Sequence, residues 1–107
     1  MTTHEIRIDH TKTLADEPSL GHNRWHPDIP PVLTIEPGDE VLMETRDGCD
    51  MQVTRDSSLG DVANLDLSAV HPLTGPVYVK DAEPGDLLMV DMEKIQIVCS
   101  ITTNFKL

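Results

Sequence analysis

Carboxylates and imidazoles carry most of the chemical potential in this chain. Asp47 and Asp50 flank Gly48-Cys49 in what reads as a turn after a strand, and Asp61 and Asp66 follow. Carboxylates converging on a loop can bind a hard cation or polarise water. Oxygen ligands suit Ca²⁺ and Mg²⁺, and mixed His/Asp sets suit Zn²⁺. Aspartates in turns also cap backbone N–H groups routinely, and the residues alone leave both readings open. His22, His26 and His71 each stand beside Gly or Pro, where a stiff backbone can aim an imidazole. A loop histidine with no partner is otherwise simply solvated. His4 and His10 lie in the polar opening of the chain and receive no role.

The familiar catalytic signatures are missing. There is no HExxH, no HxH, no cysteine pair at zinc-finger spacing and no Gly-x-Ser-x-Gly elbow. Neither Cys49 nor Cys99 has the cationic neighbours of an activated thiolate. Trp25, beside His26, could wall a pocket or pin its loop to the core.

The elements that must position these groups read mainly as strands. Glu5-Ile6-Arg7-Ile8-Asp9 alternates polar and apolar with period two, the pattern of a half-buried edge strand. Val32 to Ile35 is a short apolar run, Glu36-Pro37-Gly38-Asp39 turns the chain, and Val41, Met43 and Thr45 alternate again. Proline presets φ at the second turn position and glycine accepts positive φ at the third, which fits a type II turn. The same device returns at Glu83-Pro84-Gly85-Asp86, between Val77-Tyr78-Val79 and Leu87-Leu88-Met89-Val90. The pattern predicts two strand–Pro-Gly-Asp–strand hairpins, hence a mainly β, hairpin-built barrel or sandwich. Helix signals are few: Ser57 or Ser58 could cap a short turn with Leu59, Val62 and Ala63 on one face. The proline-rich stretch from Pro18 to Pro31 reads as a structured loop.

At 107 residues the chain has room for one domain. We divide it into a β domain over 1–97 and a divergent tail over 98–107. Nineteen acidic residues against eight Lys or Arg give a net charge of −11, which argues against nucleic acid or an anionic membrane as a partner. Two widely separated cysteines and an N-terminus with no export signal predict free thiols and a cytoplasmic protein. No apolar run reaches the roughly 18 residues of a membrane span.

Three blocks together resemble a known family. They are Gly21-His22-Asn23-Arg24-Trp25-His26-Pro27-Asp28-Ile29-Pro30-Pro31, the stretch from Pro37 to Gln52, and the stretch from Val70 to Val90. The last contains His71-Pro72-Leu73-Thr74-Gly75-Pro76-Val77-Tyr78-Val79. In order and spacing they resemble the first part of acetamidase/formamidase-type amidohydrolases, from about Ile6 to Ile95. The resemblance implies a mainly β, oligomeric hydrolase of carbon–nitrogen bonds that turns formamide or acetamide into a carboxylate and ammonia. It implies a divalent metal, Zn²⁺ or Ca²⁺, and a small amide as substrate. It points to His71 and Asp47 as catalytic residues and to His22, Asp50 and Asp66 as metal ligands. The family's later Asp-x-His…Gly-Asp-Gly-Glu stretch has no counterpart here.

The expectations follow. His71 should lie within hydrogen-bond reach of a carboxylate. The apolar stretch from Leu87 to Ile97 should drive association with a second copy or a complementing chain. Two further readings stand beside the hydrolase: a non-catalytic β-rich assembly or binding module and, ranked last, a small copper-binding β-sandwich. The copper site would need a histidine after Cys99, and none occurs.

Overall fold

The protein is described here by a computed structural model covering residues 1–97. The proposed tail, 98–107, lies outside the described residues, as does Cys99. The mainly β reading holds. Among the described residues six short strands are present: β1 (Thr3–Ile6), β2 (Gly21–His22), β3 (Leu33–Ile35), β4 (Glu40–Met43), β5 (Leu73–Thr74) and β6 (Val77–Val79). One short helix, α1 (Leu59–Ala63), and a 3₁₀ turn over Leu14–Asp16 complete the elements.

Strand pairing departs from the sequence expectation. β1 runs parallel to β4, β3 runs parallel to β6, and β2 pairs antiparallel with β5. Neither Pro-Gly-Asp turn closes a hairpin among the described residues: β3 and β4 leave the first turn toward different partners, and no strand follows the second. The reason is local. Strands this short carry too little side-chain pattern to choose a partner, so long-range ladders decide the pairing.

Turn chemistry is as expected in both places. Gly38 has φ +90° and Gly85 has φ +97°. The N–H of Asp39 donates to the Glu36 carbonyl at 3.1 Å, and that of Asp86 to the Glu83 carbonyl at 3.0 Å. In each turn the aspartate carboxylate also accepts the glutamate N–H, at 3.0 Å for Glu36 and 2.8 Å for Glu83. The first turn does more than turn. Asp39 Oδ1 accepts the N–H of Thr2 at 2.9 Å, and Oδ2 meets His4 Nε2 at 2.9 Å. Donors from the neighbouring strand are therefore gathered onto one carboxylate beside the β1–β4 ladder.

The core lies on β1 and the residues just after it. Ile6 and Ile8 are buried, on the inward positions of the alternation noted above, and Pro72 is buried as well. Charged groups tie the surrounding loops together. Arg46, whose side chain is only 4 % exposed, reaches Glu17 Oε1 at 2.6 Å and the Lys12 carbonyl at 2.6 Å. That guanidinium holds the Glu17 carboxyl below its usual range, helped by the Asp9 N–H. Helix α1 begins as read: Ser58 Oγ accepts the Asp61 N–H, and the Asp61 carboxylate accepts the Ser58 N–H in return.

Candidate functional site

The three sequence blocks meet. β2 pairs with β5, so Gly21 and His22 lie opposite Thr74 and Leu73. Only glycine fits at the first of these positions, since a Cβ on Gly21 would stand 2.5 Å from the Leu73 carbonyl oxygen. The N–H of Gly75 donates to the Leu20 carbonyl at 3.3 Å, and the N–H of Val32 to the Pro76 carbonyl at 2.8 Å. The middle block joins from the other side. Thr74 Oγ1 donates to the Glu44 carbonyl at 2.6 Å, and the His71 N–H donates to the Gly48 carbonyl at 2.7 Å.

The Asp47–Asp50 turn is tightly wound. The Asp50 N–H donates to the Asp47 carbonyl at 2.9 Å, and Asp47 Oδ2 accepts the Met51 N–H at 2.8 Å. Asp50 and Met51 adopt φ of 51° and 69°, and His71 adopts φ 58°. This left-handed backbone is uncommon outside glycine. Departures of this sort tend to gather where a chain is held for a purpose other than its own stability.

A cleft of about 790 Å³ opens beside this junction. His22, Asp50 and Asp66 line it together with Asn23, His26 and Asp28. The three residues expected to bind metal therefore line one cleft, but each is already engaged. The buried Asp50 carboxylate takes the Leu14 N–H at 3.0 and 3.2 Å, anchoring the 3₁₀ turn. Asp66 Oδ1 accepts the Ser68 hydroxyl at 2.6 Å and its N–H at 3.0 Å, which lowers its pKa. His22 Nδ1 lies 2.7 Å from the Arg24 carbonyl, and its ring meets Trp25 edge-on at 6.0 Å.

Among the described residues, no three His, Cys, Asp or Glu side chains form the donor set of a metal ion. The donors read from the sequence do not, as placed, fit a Zn²⁺ or Ca²⁺ site. His71 and Asp47 are not among the residues lining the cleft. The His71 side chain is exposed and makes no ion pair among the described residues, so the expected carboxylate neighbour is not there. What joins His71 to the Asp47 turn is its backbone.

Sequence reasoning missed the groups that hold the blocks in place. Glu44 accepts the Ile8 N–H at 2.9 Å and Arg7 Nη1 at 2.9 Å, and lies 3.5 Å from His10 Nε2. Arg7 chiefly, and then the Ile8 N–H, draw its pKa down. The side-chain amide of Gln52 bonds both the N–H and the carbonyl of Asp66, copying a strand pair between two loops. Asn23 Nδ2 donates to the Ser68 carbonyl, closing the cleft's rim. A signal existed only for Glu44, a charged residue within the alternating run of Val41, Met43 and Thr45.

Comparison with known proteins gives a consistent picture. The sequence matches the Acetamidase/Formamidase family over residues 7–105. It is 47 % identical over 85 residues to an acetamidase of Mycolicibacterium smegmatis, covering 79 % of this chain and 21 % of that protein. It is 41 % identical over 87 residues to a formamidase of Methylophilus methylotrophus, covering 81 % of this chain and 21 % of the relative. Among solved structures it is similar to a gamma lactamase from Delftia acidovorans, with a TM-score of 0.69 and 46 % identity over 78 % of this chain and 20 % of that one. The chain thus spans about a fifth of the length of the relatives it matches.

Proposed function

The chain belongs to the acetamidase/formamidase family, and on that premise we propose that it supplies one part of a hydrolase acting on the carbon–nitrogen bond of linear amides. Formamide or acetamide would yield a carboxylate and ammonia. The observation that carries this reading is the convergence of all three family blocks at one junction, through the His71–Gly48 and Thr74–Glu44 bonds and the β2–β5 pair. Structure is spent there on assembling loops, which is where sites are usually built.

Within that reading, His71 and Asp47 are the acid–base candidates, on two loops that the His71–Gly48 backbone bond joins. His22, Asp50 and Asp66 shape the cleft that would admit a small amide. Any Zn²⁺ or Ca²⁺ in the reaction would draw its donors from beyond these residues. Among the described residues no helix is long and apolar enough to cross a membrane.

An unactivated amide needs an activated water and a partner for the developing oxyanion. General-base help alone contributes roughly a hundred- to ten-thousand-fold, too little for this reaction. The 107-residue chain is therefore expected to release ammonia from formamide or acetamide no faster than a protein-free control, with or without added Zn²⁺. Release above the control, abolished by His71→Ala, would show that the chain carries a complete site. A second reading, a non-catalytic assembly module, is favoured by the exposed apolar side chains between Leu87 and Ile97. Association of copies or with another chain, unaccompanied by any effect on ammonia release, would select it.

A further inference from the structure

His22 and His26 line the same cleft, four residues apart, yet their rings are held in opposite ways. His22 Nδ1 lies 2.7 Å from the Arg24 carbonyl. A carbonyl only accepts, so Nδ1 carries the proton and donates, and the neutral ring keeps its lone pair on Nε2. His26 is the reverse. The Asp28 N–H donates to His26 Nδ1 at 3.1 Å. A backbone N–H only donates, so Nδ1 is the acceptor and the proton of the neutral ring sits on Nε2. The Asp28 carboxylate, 3.8 Å from Nδ1, is beyond hydrogen-bond reach and does not compete for that nitrogen.

The local sequence builds both bonds. Each runs from a ring to the backbone two residues on, and Pro27 fixes φ inside the second of them. The Ile29 N–H donates to the His26 carbonyl at 3.3 Å, closing a turn around that ring. Trp25 meets the His22 ring edge-on, with the centroids 6.0 Å apart and the planes at 81°, which limits its rotation. Among the described residues, neither Nε2 has a hydrogen-bond partner. The loop thus offers one imidazole acceptor and one imidazole donor to a single cleft.

We propose that this pair of opposite tautomers reads a primary carboxamide. His22 Nε2 accepts an N–H of the amide nitrogen, and His26 Nε2–H donates to the amide carbonyl. The inference rests on the reading of the chain as part of an amide hydrolase and assigns the groups that recognise its substrate. A primary amide has one donor side and one acceptor side, as the pair does. A carboxylate has acceptors alone and would set a lone pair against that of His22. The surrounding charge works in the same direction, since Asp28, Asp50 and Asp66 line the cleft against one cation, Arg24. The pair therefore favours the amide over the carboxylate that its hydrolysis leaves. Both histidines act here as specificity-determining groups, and neither changes its protonation state to do so.

The test is nuclear magnetic resonance of the nitrogen-15-labelled 107-residue chain at about pH 8, where an ordinary imidazole is neutral. Ring correlations are expected to show Nδ1–H on His22 and Nε2–H on His26. Acetamide should move the Nε2 signal of both rings. N,N-dimethylacetamide, which keeps the carbonyl and lacks the N–H, should move that of His26 alone, and acetate neither. His22→Phe and His26→Phe each remove one hydrogen bond and should weaken acetamide binding about tenfold. His26→Gln, whose side-chain amide keeps a donor near the place of Nε2, should restore most of the loss. His26 is exposed, so its variants report even if His22→Phe fails to fold. The same tautomer in both rings, no response of either ring to acetamide, or binding that His26→Phe leaves intact would overturn the proposal while the hydrolase reading stands. Acetate moving both Nε2 signals as acetamide does would overturn the two together, because the cleft would then be built for an anion.

Discussion

The backbone N–H of His71 donates to the carbonyl of Gly48 at 2.7 Å while His71 sits at φ 58°. This bond locks the loop before β5 onto the Asp47–Asp50 turn. It also explains why a residue outside glycine holds a left-handed backbone here, in a conformation that histidine enters more readily than most.

That relationship separates the backbone role of position 71 from its side chain. His71→Gly should leave stability nearly unchanged, because relief of the left-handed conformation offsets the freedom gained by the unfolded chain. His71→Val should cost about 1–2 kcal/mol, as a β-branched residue is poorly suited to this region. Urea unfolding of the two variants checks this; equal losses in both would mean that the imidazole, and not the backbone, holds the loop.

Gly21 tests the crossing of β2 and β5. A Cβ there would meet the Leu73 carbonyl oxygen at 2.5 Å and Leu14 Cδ1 at 3.0 Å. Backbone cannot move aside as a side chain can, so Gly21→Ala should cost about 1–3 kcal/mol, the usual range for overpacking. The urea midpoint should fall with the slope unchanged. A wild-type midpoint would mean that the strands can spread at no cost.

What the sequence made legible was local chemistry. Alternation around Ile6 and Ile8 marked the buried face, Pro-Gly pairs marked the turns with positive φ at Gly38 and Gly85, and Ser58 marked the start of α1. Pairing was not legible. Gly21-His22 sits in a proline-rich loop and becomes a strand only because Leu73-Thr74, far along the chain, lies against it. Adjacency suggested hairpins where β3 and β4 take distant parallel partners. At the site, the blocks that converge were visible as blocks. The occupation of Asp50 by the Leu14 N–H was not, because an aspartate that anchors a backbone and one that awaits an ion look alike in a sequence.

Asp39 carries a pH dependence of definite sign. Its bond with His4, then the N–H groups of Thr2 and Glu36, lower its pKa from 3.8 to about 2. The folded protein therefore releases this proton more readily than the unfolded chain. The stabilisation is complete above the unfolded value of 3.8 and is lost as pH falls toward 2. Glu93 works in the opposite sense. The nearby Glu40 carboxylate raises its pKa, so its contribution is present at low pH and disappears as pH rises through the raised value. Asp39→Asn keeps the size of the side chain but cannot titrate, and it weakens the clamp on Thr2 and His4. The variant should be less stable than the parent at pH 7, and the gap should narrow between about pH 4 and pH 2, where the parent loses its advantage. Glu93→Gln, by contrast, should leave that acid limb in place and remove a decline on the way up from acid pH. Urea midpoints of the three proteins across pH 2.5 to 7 check both signs. A constant gap between the parent and Asp39→Asn over that range would show that the carboxylate does not link β1 to the turn through its charge.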